Sequence, residues 1–416
     1  MRQTMSKPKT LVVVQRYGDG VAGGAEAHAR QLVNRLKPHL DIEVLTTAAS
    51  DYRTWENTFT AGIDWVDDVP VRRFPVLRQR AWDFKLYERR AFAPLHTLED
   101  ERTFVDAQGP YAPDLLEHLW RAGHDADHVL FFTYIYYPTV RGLPLVPERA
   151  VLVPTAHDEP ALGLSIYEPV FHAPRAIAFN TEEERALVHA RFRNERVPND
   201  ILGVGVEVPD DRSADRFRAR FGVDGPFVLY IGRIVESKGC RELFAYWQRW
   251  RTAEPDRRIA LVLAGQAEMA IPKRPDIVHL GIVSEQEKYD ALEASVALVV
   301  PEVLSSMSMV TLEAWACGRP VICDAASPVV WGMARRARGG LAFRDAAELG
   351  EIVGLLADDP GAARRLGEAG RAFVARTYTW PRIVGTYLDM FAEVRARNGE
   401  SRLGLRTMRE RAAASV

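Results

Sequence analysis

Short runs of apolar residues recur along the chain. Five of them lie in the first half: Leu11–Val14, Ile42–Leu45, Val129–Phe132, Val151–Val153 and Ala176–Phe179. Four more lie in the second half: Phe227–Ile231, Ile259–Leu263, Val296–Val300 and Pro320–Cys323. Uninterrupted apolar runs of this length are typical of parallel strands that are covered on both faces. The pattern therefore predicts an α/β protein with doubly wound parallel sheets.

Segments with helical periodicity lie between these runs, and the alternation restarts near residue 225. The helical segments include Ala25–Leu36, Glu182–Arg191, Arg241–Trp250 and Met309–Cys317. A stretch rich in Gly, Val and Pro, residues 201–211, precedes the restart and is predicted to be a hinge. We predict an N-terminal domain over residues 1–207 and a C-terminal domain over 208–380, which suits a chain of 416 residues. A helix over 381–397 and a charged tail over 398–416 follow.

The segment 51–123 interrupts the alternation. It is rich in arginine and aromatic residues and shows no clean strand pattern. We predict an insertion on the N-terminal domain, with two interpretations: a functional lid, or a surface layer that covers apolar side chains. The arginine-rich part, 72–90, also has two interpretations, which are contact with anionic lipid and ordinary surface.

Composition and charge narrow the classes of function. The formal net charge is −2, which argues against a broad nucleic-acid-binding surface. Cys240, Cys317 and Cys323 lack metal-binding spacing and are interpreted as reduced thiols of a cytoplasmic protein. The sequence has no apolar stretch long enough to span a membrane, and its first residues have too short an apolar run for a signal peptide. We expect a cytoplasmic location, with peripheral contact at the inner membrane face as the alternative.

A glycine-rich segment follows the first predicted strand. Gly18, Gly20 and Gly23 form a literal G-x-G-x-x-G, and a predicted helix begins directly after them. Glycines in such a loop let the backbone approach a phosphate, at which the helix points its positive end. A dinucleotide site also needs an acidic residue at the end of the second strand, where this chain has Leu45-Thr46-Thr47-Ala48. The sequence thus argues against a dehydrogenase, and Glu26 is assigned to the usual preference of acids for a helix N-terminus.

A pair of cations follows the first strand of the second half. Arg233 comes directly after Gly232, and Lys238 precedes Gly239 at the start of the next helix. The carboxyl end of a parallel strand is where a doubly wound fold binds ligands. Arg can fork two phosphate oxygens, and Lys adds a point charge. The pair suits a diphosphate group, while the alternative is two cations on a solvated loop.

A third motif surrounds the strand Val296–Val300 and the helix after it. Three serines, Ser305, Ser306 and Ser308, stand before that helix and are suited to cap it. The free N–H groups of a helix N-terminus can hold phosphate oxygens. Glu313 lies inside the helix among apolar residues, where a carboxylate needs a partner. A ribose diol would serve, and the alternative is a salt bridge to a nearby arginine.

Together these motifs resemble the retaining glycosyltransferases of family 4. The matching stretches are GGAE at Gly23–Glu26, GRIVESKG at Gly232–Gly239 and LEAWACGRPVI at Leu312–Ile322. Their order and spacing cover almost the whole chain. The resemblance implies the GT-B fold, in which two Rossmann-like doubly wound domains face each other across a cleft. The helix after Trp380 would cross back to the N-terminal domain.

The resemblance also implies roles for individual residues. Arg233 and Lys238 would bind the donor diphosphate, Glu313 would hold the ribose hydroxyls, and His157 would lie near the transferred sugar. For His157 the alternative is a loop histidine that caps a backbone group. The other donor-binding residues would be Gly23, Gly24, Gly232, Gly265, Gly281, Ile282, Val283, Ser305, Ser306, Ser308, Met309 and Val310. Tyr134 and Asp158 are assigned to the acceptor side, and for Tyr134 a place in the core is the alternative.

The implied reaction transfers a sugar from a nucleotide diphosphate-sugar, a UDP- or GDP-sugar, to an acceptor hydroxyl with retention of configuration. The acceptor would be a glycan, a lipid-linked sugar or a small molecule, and no metal or other cofactor is expected. Asp125-Ala126-Asp127 is a literal D-x-D, but it precedes a predicted strand and is interpreted as a solvated turn. An epimerase of similar fold would need an acidic pair that the motifs lack.

One departure from the family pattern is important. The family has two glutamates separated by seven residues in the third motif, and the first of them falls on Ser305. Three interpretations are open. Ser305 bonds a sugar hydroxyl, or Glu302 takes over the role of the missing glutamate. In the third, transfer is weak and the protein binds a donor as a partner in glycan assembly.

Overall fold

A computed structural model describes residues 7–21 and 23–413, with side chains up to residue 399. Its contacts divide the chain into two compact units. The first unit runs to Gly203 and resumes at Ile383, and the second unit is Val204–Arg382. The first unit ends at Gly203, four residues before the predicted domain end at residue 207. The second unit ends at Arg382, two residues after the predicted domain end at residue 380.

Among the described residues, the sheet of the first unit has eight strands in the order β3-β4-β2-β1-β5-β6-β7-β8. The strands are β1 (Lys9–Val13), β2 (Asp41–Thr47), β3 (Gly62–Val66), β4 (Val69–Phe74), β5 (His128–Phe132), β6 (Ala150–Val153), β7 (Ala176–Phe179) and β8 (Asn199–Ile201). All neighbours are parallel except β3 and β4, which form a hairpin. Every residue of β5, β6 and β7 is buried, as their apolar runs predict.

Helices cover this sheet, and two of them begin with a side-chain cap. They are α1 (Gly24–Leu36), α2 (Phe84–Ala91), α3 (Leu98–Gln108), α4 (Pro113–Ala122), α5 (Tyr137–Gly142), α6 (Glu168–His172) and α7 (Glu182–Phe192). In α1 the buried residues Ala29, Leu32, Val33 and Leu36 lie on one face at helical spacing. Thr97 and Asp100 form a reciprocal capping box at the start of α3.

The second unit repeats the architecture with six strands among the described residues, in the order β11-β10-β9-β12-β13-β14, and all neighbours are parallel. The strands are β9 (Phe227–Ile231), β10 (Ala260–Ala264), β11 (Ile277–Gly281), β12 (Ala297–Val300), β13 (Val321–Asp324) and β14 (Gly340–Phe343). The helices are α8 (Ala214–Phe221), α9 (Cys240–Ala253), α10 (Glu285–Ala294), α11 (Met309–Ala316), α12 (Pro328–Ala337), α13 (Ala346–Asp358), α14 (Pro360–Thr377) and α15 (Trp380–Ala413). Each unit has its own large cluster of buried apolar side chains.

The prediction for segment 51–123 is wrong in one respect. The segment contains β3 and β4, and β4 pairs in parallel with β2, so part of it belongs to the main sheet. The strand V-P-V-R-R-F escaped detection because two arginines interrupt its apolar pattern. Arg73 is nonetheless 2% exposed. Its guanidinium donates to the carbonyl oxygen of Tyr17 at 2.6 Å and to Asp64 Oδ2 at 3.1 Å, which satisfies the buried charge.

The C-terminal helix is longer than the sequence indicates. The predicted helix ends at residue 397, with a tail over 398–416, whereas α15 continues to Ala413. From Ile383 onwards the segment belongs to the first unit. The helix packs against His128 of β5. The Nε2 atom of His128 lies 3.0 Å from the carbonyl oxygen of Phe391, and the His128 and Phe391 rings stack with their centroids 4.5 Å apart. Burial lowers the pKa of His128 to about 4.

Candidate functional site

Both sheets reverse their strand order at one strand, and the predicted site residues lie at the carboxyl ends of the strands around these points. In the first unit β1 lies between β2 and β5, and in the second unit β9 lies between β10 and β12. Such switch points are where open α/β sheets bind ligands, because the loops on either side diverge and leave a crevice. The glycine-rich loop follows β1, and the Arg233–Lys238 segment follows β9.

The glycine-rich loop closes on a buried ion pair. Arg16 donates two hydrogen bonds to Glu26 Oε1, at 2.6 and 3.0 Å, and Gln15 donates a third at 2.9 Å. A Cβ on Gly23 would overlap Glu26 Oε2 and lie 2.8 Å from its Cδ, whereas a Cβ on Gly24 would meet no atom within 4 Å. Glu26 therefore does more than favour a helix N-terminus, and Gly23 is needed because its missing side chain leaves room for that carboxylate.

The loop that follows β6 carries His157. The imidazole Nδ1 lies 3.6 Å from Glu159 Oε1, and among the described residues this buried nitrogen has no hydrogen-bond partner. Thr155, two residues earlier, has a φ of 51°, in the left-handed region that β-branched residues rarely adopt. Strained backbone of this kind persists only where neighbouring contacts fix it, and it concentrates at functional sites.

Tyr134 is in the core, and its prediction as an acceptor contact is wrong. Its side chain is 1% exposed, and its ring packs against Tyr167 and Phe171 at centroid distances of 4.9 and 5.5 Å. Its hydroxyl donates to Glu159 Oε1 at 2.8 Å. A ring so enclosed offers no face to a sugar, because the neighbouring aromatic side chains occupy it. Asp158, in the same loop as His157, is exposed.

Three loops of the second unit meet through glycines. Gly232 follows β9 with a φ of 146°, and Gly265 follows β10 with a φ of 141°. A Cβ on Gly265 would overlap the carbonyl oxygen of Gly232, and the N–H of Gly265 donates to Gly281 at 2.7 Å. These three predicted donor-binding glycines thus lie together, and at Gly265 only glycine fits the close approach of the Gly232 backbone. Ile282 is 78% exposed and Val283 is half-buried.

Arg233 and Lys238 both follow β9 and face carboxylates. Arg233 Nη1 lies 3.8 Å from Glu268 Oε1. Lys238 ends a 3-10 turn and donates to Glu302 Oε1. Because Glu302 follows β12, this ion pair joins the two loops that flank the switch point. No motif pairs Glu302 with Lys238, since 64 residues separate them along the chain.

Glu313 is buried on α11 and has a cation as its partner. Lys288 Nζ donates to Glu313 Oε1 at 2.8 Å, and the Tyr289 hydroxyl donates to the same oxygen at 3.4 Å. Burial raises the pKa of Glu313, and the charge of Lys288 opposes that rise. A salt bridge to an arginine was the expected alternative to ribose binding, but the partner is a lysine on α10. No motif in the sequence marked Lys288.

The N-terminus of α11 follows β12 at the switch point. Ser308 occupies the N-cap position but makes no side-chain cap, and its hydroxyl accepts from Thr311 Oγ1 at 2.8 Å instead. The expectation that Ser308 caps the helix through its side chain is therefore wrong. The first backbone N–H groups of a helix, here those of Met309 and Val310, have no partner within the helix and attract anions. Among the described residues, the buried Oγ of Ser305 has no hydrogen-bond partner.

The chain is similar to known proteins over nearly its whole length. Residues 225–359, within the second unit, match the family model described as Glycosyl transferases group 1. An alpha-maltose-1-phosphate synthase of Mycolicibacterium smegmatis is 28% identical over 93% of this chain and 100% of its own. A D-inositol 3-phosphate glycosyltransferase of Frankia alni is 26% identical over 86% and 92%, respectively.

Solved structures resemble the fold at lower identity. Sucrose-phosphate synthase from Thermosynechococcus elongatus superposes with a TM-score of 0.68 at 18% identity, over 94% of this chain and 100% of that one. HepE of Anabaena, in complex with UDP and glucose, superposes with a TM-score of 0.65 at 15% identity, over 92% and 99%. The protein is therefore a glycosyltransferase with the GT-B fold. The match of residues 225–359 to the group 1 glycosyl transferases and the two relatives support the resemblance to glycosyltransferase family 4.

Proposed function

We propose that this enzyme transfers a sugar from a UDP- or GDP-sugar to an acceptor hydroxyl, with retention of configuration and without a metal ion. The observation that carries the proposal is the Lys238–Glu302 ion pair, which sets a cation at the switch point of the second unit. Arg233 follows the same strand, and the amide end of α11 follows the strand on the other side. Two cations and a helix N-terminus together suit a diphosphate.

In the proposed reaction the acceptor oxygen bonds to the anomeric carbon as the bond from that carbon to the diphosphate breaks. Arg233 and Lys238 neutralise the negative charge that develops on the diphosphate, which is the main electrostatic demand of this displacement. Attack occurs on the face from which the diphosphate leaves, and a diphosphate oxygen takes the acceptor proton. Glu313 holds the ribose, and His157 of the first unit lies beside the transferred sugar, as the family resemblance implies.

The donor class is supported by the relatives with solved structures. HepE of Anabaena has been solved in complex with UDP and with UDP-glucose. Another structure with this fold, described as trehalose-6-phosphate from Escherichia coli, is bound with UDP-2-fluoro glucose. The acceptor is left at the level of its class: a glycan, a lipid-linked sugar or a small molecule.

Two alanine variants test the diphosphate assignment. We expect Arg233→Ala and Lys238→Ala each to lower kcat/KM by about 100-fold or more, since each removes a charge-assisted contact to the leaving group. Arg249→Ala, which removes an exposed arginine of α9, serves as the control and should keep wild-type kinetics. Transfer and hydrolysis are followed with UDP- and GDP-sugars, with and without EDTA. Wild-type turnover in either test variant refutes the assignment, and loss of activity in EDTA refutes the metal-independent reaction.

Ser305 favours a second candidate, a donor-binding partner with little transfer of its own. Its buried Oγ has no partner among the described residues, and it stands where the family has a glutamate. If the protein is the proposed transferase, this hydroxyl bonds a sugar hydroxyl. Glu302 then contributes negative charge beside the sugar once the diphosphate competes with it for Lys238. Donor binding without turnover in the wild-type protein, together with turnover in Ser305→Glu, would establish the second candidate instead.

We also propose that the first unit contacts anionic lipid at one surface, formed by the exposed residues of 77–98. Trp82 is 96% exposed and Leu95 is 95% exposed, and Leu86 is about half exposed. Basic residues stand beside them on α2, with Arg89 and Arg90 in its last turn. Apolar side chains next to cations are typical of interfacial binding. In the described part of the chain, no helix has the length and apolarity needed to cross a membrane.

A further inference from the structure

Glu184, on the first turn of α7, bonds to two loops outside its own helix. Its side chain is fully buried, at 1% exposure. One carboxylate oxygen accepts the N–H of Ala156 at 2.6 Å, and the other accepts the N–H of Asn180 at 2.6 Å. The spacing of Thr181 and Glu184 predicts a capping box, and Thr181 Oγ1 does accept the N–H of Glu184 at 3.1 Å. The backbone N–H of Thr181 also bonds to the Glu184 carboxyl group, as the box requires. The same carboxyl group reaches further, to Ala156 in the loop after β6.

The residue held by Glu184 is the one between Thr155 and His157. Thr155 has the strained φ of 51°, and the bond to Ala156 fixes the backbone immediately after it. The other end of this loop is fixed through Glu159, whose Oε1 accepts the Tyr134 hydroxyl at 2.8 Å. The imidazole of His157 thus projects from a short segment that is anchored on both sides, and among the described residues its Nδ1 has no hydrogen-bond partner.

The buried carboxylate is costly to keep. Burial raises the pKa of Glu184 to about 8, and the N–H groups of Asn180, Ala156 and Thr181 act against that rise. A cap of α7 uses the Thr181 hydroxyl and the bond from the Thr181 N–H to the Glu184 carboxyl group. Helix capping therefore does not account for the bond from the Ala156 N–H, which lies in the loop after β6. A buried polar group with such a bond can hold strained backbone in place.

We propose that Glu184 is a positioning residue for sugar transfer, which holds the strained loop so that His157 meets the transferred sugar. The inference rests on the proposed function for its role in transfer. The contact between the carboxylate and the loop stands independently of it. Misplacing a group by about 1 Å can lower a rate by about 100-fold. Loss of the anchor should therefore lower kcat more than it changes donor binding.

The chain offers a matched control in Glu101 of α3. Glu101 is 3% exposed, and its carboxylate accepts the N–H groups of Ser165 at 3.2 Å and Ile166 at 2.6 Å. Glu101→Gln thus breaks the same kind of buried carboxylate-to-loop contact in the same unit, but in a loop without His157. We expect Glu184→Gln to lower kcat by about 10- to 100-fold with a donor KM within about twofold of wild type. Glu101→Gln should keep kcat within about twofold, even if both variants lower the Tm equally.

Hydrogen exchange separates this inference from the proposed function. In Glu184→Gln the peptide that contains Ala156 should exchange faster, with the peptide around Ser165 unchanged, and Glu101→Gln should show the reverse. If exchange follows this pattern while the wild-type enzyme turns over no donor, the proposed function fails and the anchoring role stands. Equal kcat in Glu184→Gln and wild type, or equal loss of kcat in both glutamine variants, overturns the positioning role. Should Glu184→Gln not fold, Glu184→Asp, whose shorter carboxylate cannot span both loops, replaces it.

Discussion

The Lys288–Glu313 pair allows a stability prediction whose size follows from burial. The side chains of Lys288 and Glu313 are 12% and 11% exposed. Lys288→Met keeps most of the apolar stem but leaves Glu313 as an unpaired buried charge, and breaking a buried pair in this way costs about 3–5 kcal/mol. We expect the free energy of unfolding to fall by about 3 kcal/mol at pH 7, the lower end of that range. The cost is at the lower end because the Tyr289 hydroxyl still donates to Glu313.

A loss of this size is measurable as a shift in Tm. For a domain the size of Val204–Arg382, 1 kcal/mol lowers the Tm by about 2–4 °C, so the transition of the second unit should fall by about 6–12 °C. Differential scanning calorimetry measures that shift. Lys273→Met, which removes an exposed lysine of the same unit, should leave the Tm within about 1 °C, since exposed charges contribute little to stability.

The pH dependence gives the sign of the effect. Burial already raises the pKa of Glu313, and removing Lys288 raises it further. A folded state that holds its proton more tightly than the unfolded state loses stability as pH rises through the range between the two pKa values. The cost of Lys288→Met should therefore be small below about pH 4, where glutamate is protonated in both states, and grow towards neutral pH.

A double variant completes the test. Lys288→Met with Glu313→Gln removes both charges and should recover most of the lost stability, because no buried charge remains unpaired. A Tm of Lys288→Met equal to wild type at pH 7, or a loss that does not change with pH, would refute the view that this pair is a desolvated charge pair.

Two further predictions concern the first unit. Gly23→Ala should lower its stability by about 1–3 kcal/mol in urea unfolding, since the added methyl overlaps the fixed carboxylate of Glu26, whereas Gly24→Ala, with open space around its Cβ, should be neutral or slightly stabilising. Equal effects in the two variants would contradict this account. Trp82→Ser with Leu86→Ser should lower co-sedimentation with vesicles of anionic lipid by about fivefold without changing transfer to a water-soluble acceptor; unchanged binding would remove the proposed lipid contact.

The apolar runs predicted strands whose residues are buried almost throughout. Ala176–Phe179 and Phe227–Ile231 have the predicted bounds. Val69–Phe74 and Asn199–Ile201 were not predicted because polar residues interrupt their apolar pattern. The arginines of Val69–Phe74 have partners distant in sequence: Arg72 donates to Glu43, and Arg73 donates to the carbonyl oxygen of Tyr17. No local rule reveals such contacts.

The site shows the same division. The apolar run before it placed Gly232 at the carboxyl end of its strand, and the family resemblance marked Gly265, which directly follows β10. The partners of the charged residues could not be predicted from the sequence. Lys288 pairs with Glu313, and Glu302 pairs with Lys238, only because the fold brings them together. The sequence also placed Tyr134 on the acceptor side, although its ring is enclosed by Tyr167 and Phe171. An aromatic residue at a strand end suits a core and a binding surface equally well.

The separate apolar cores of the two units have an evolutionary consequence. A substitution that erodes one core leaves the other cluster of apolar side chains in place, so changes in the first unit are not constrained by the packing of the second. The group 1 model matches residues 225–359, which all lie in the second unit. Under the proposed function, lineages can therefore diversify their acceptors by altering the first unit while inheriting an unchanged donor-binding unit. For the same reason, a chimera that exchanges Val204–Arg382 between relatives should carry the donor preference of its source.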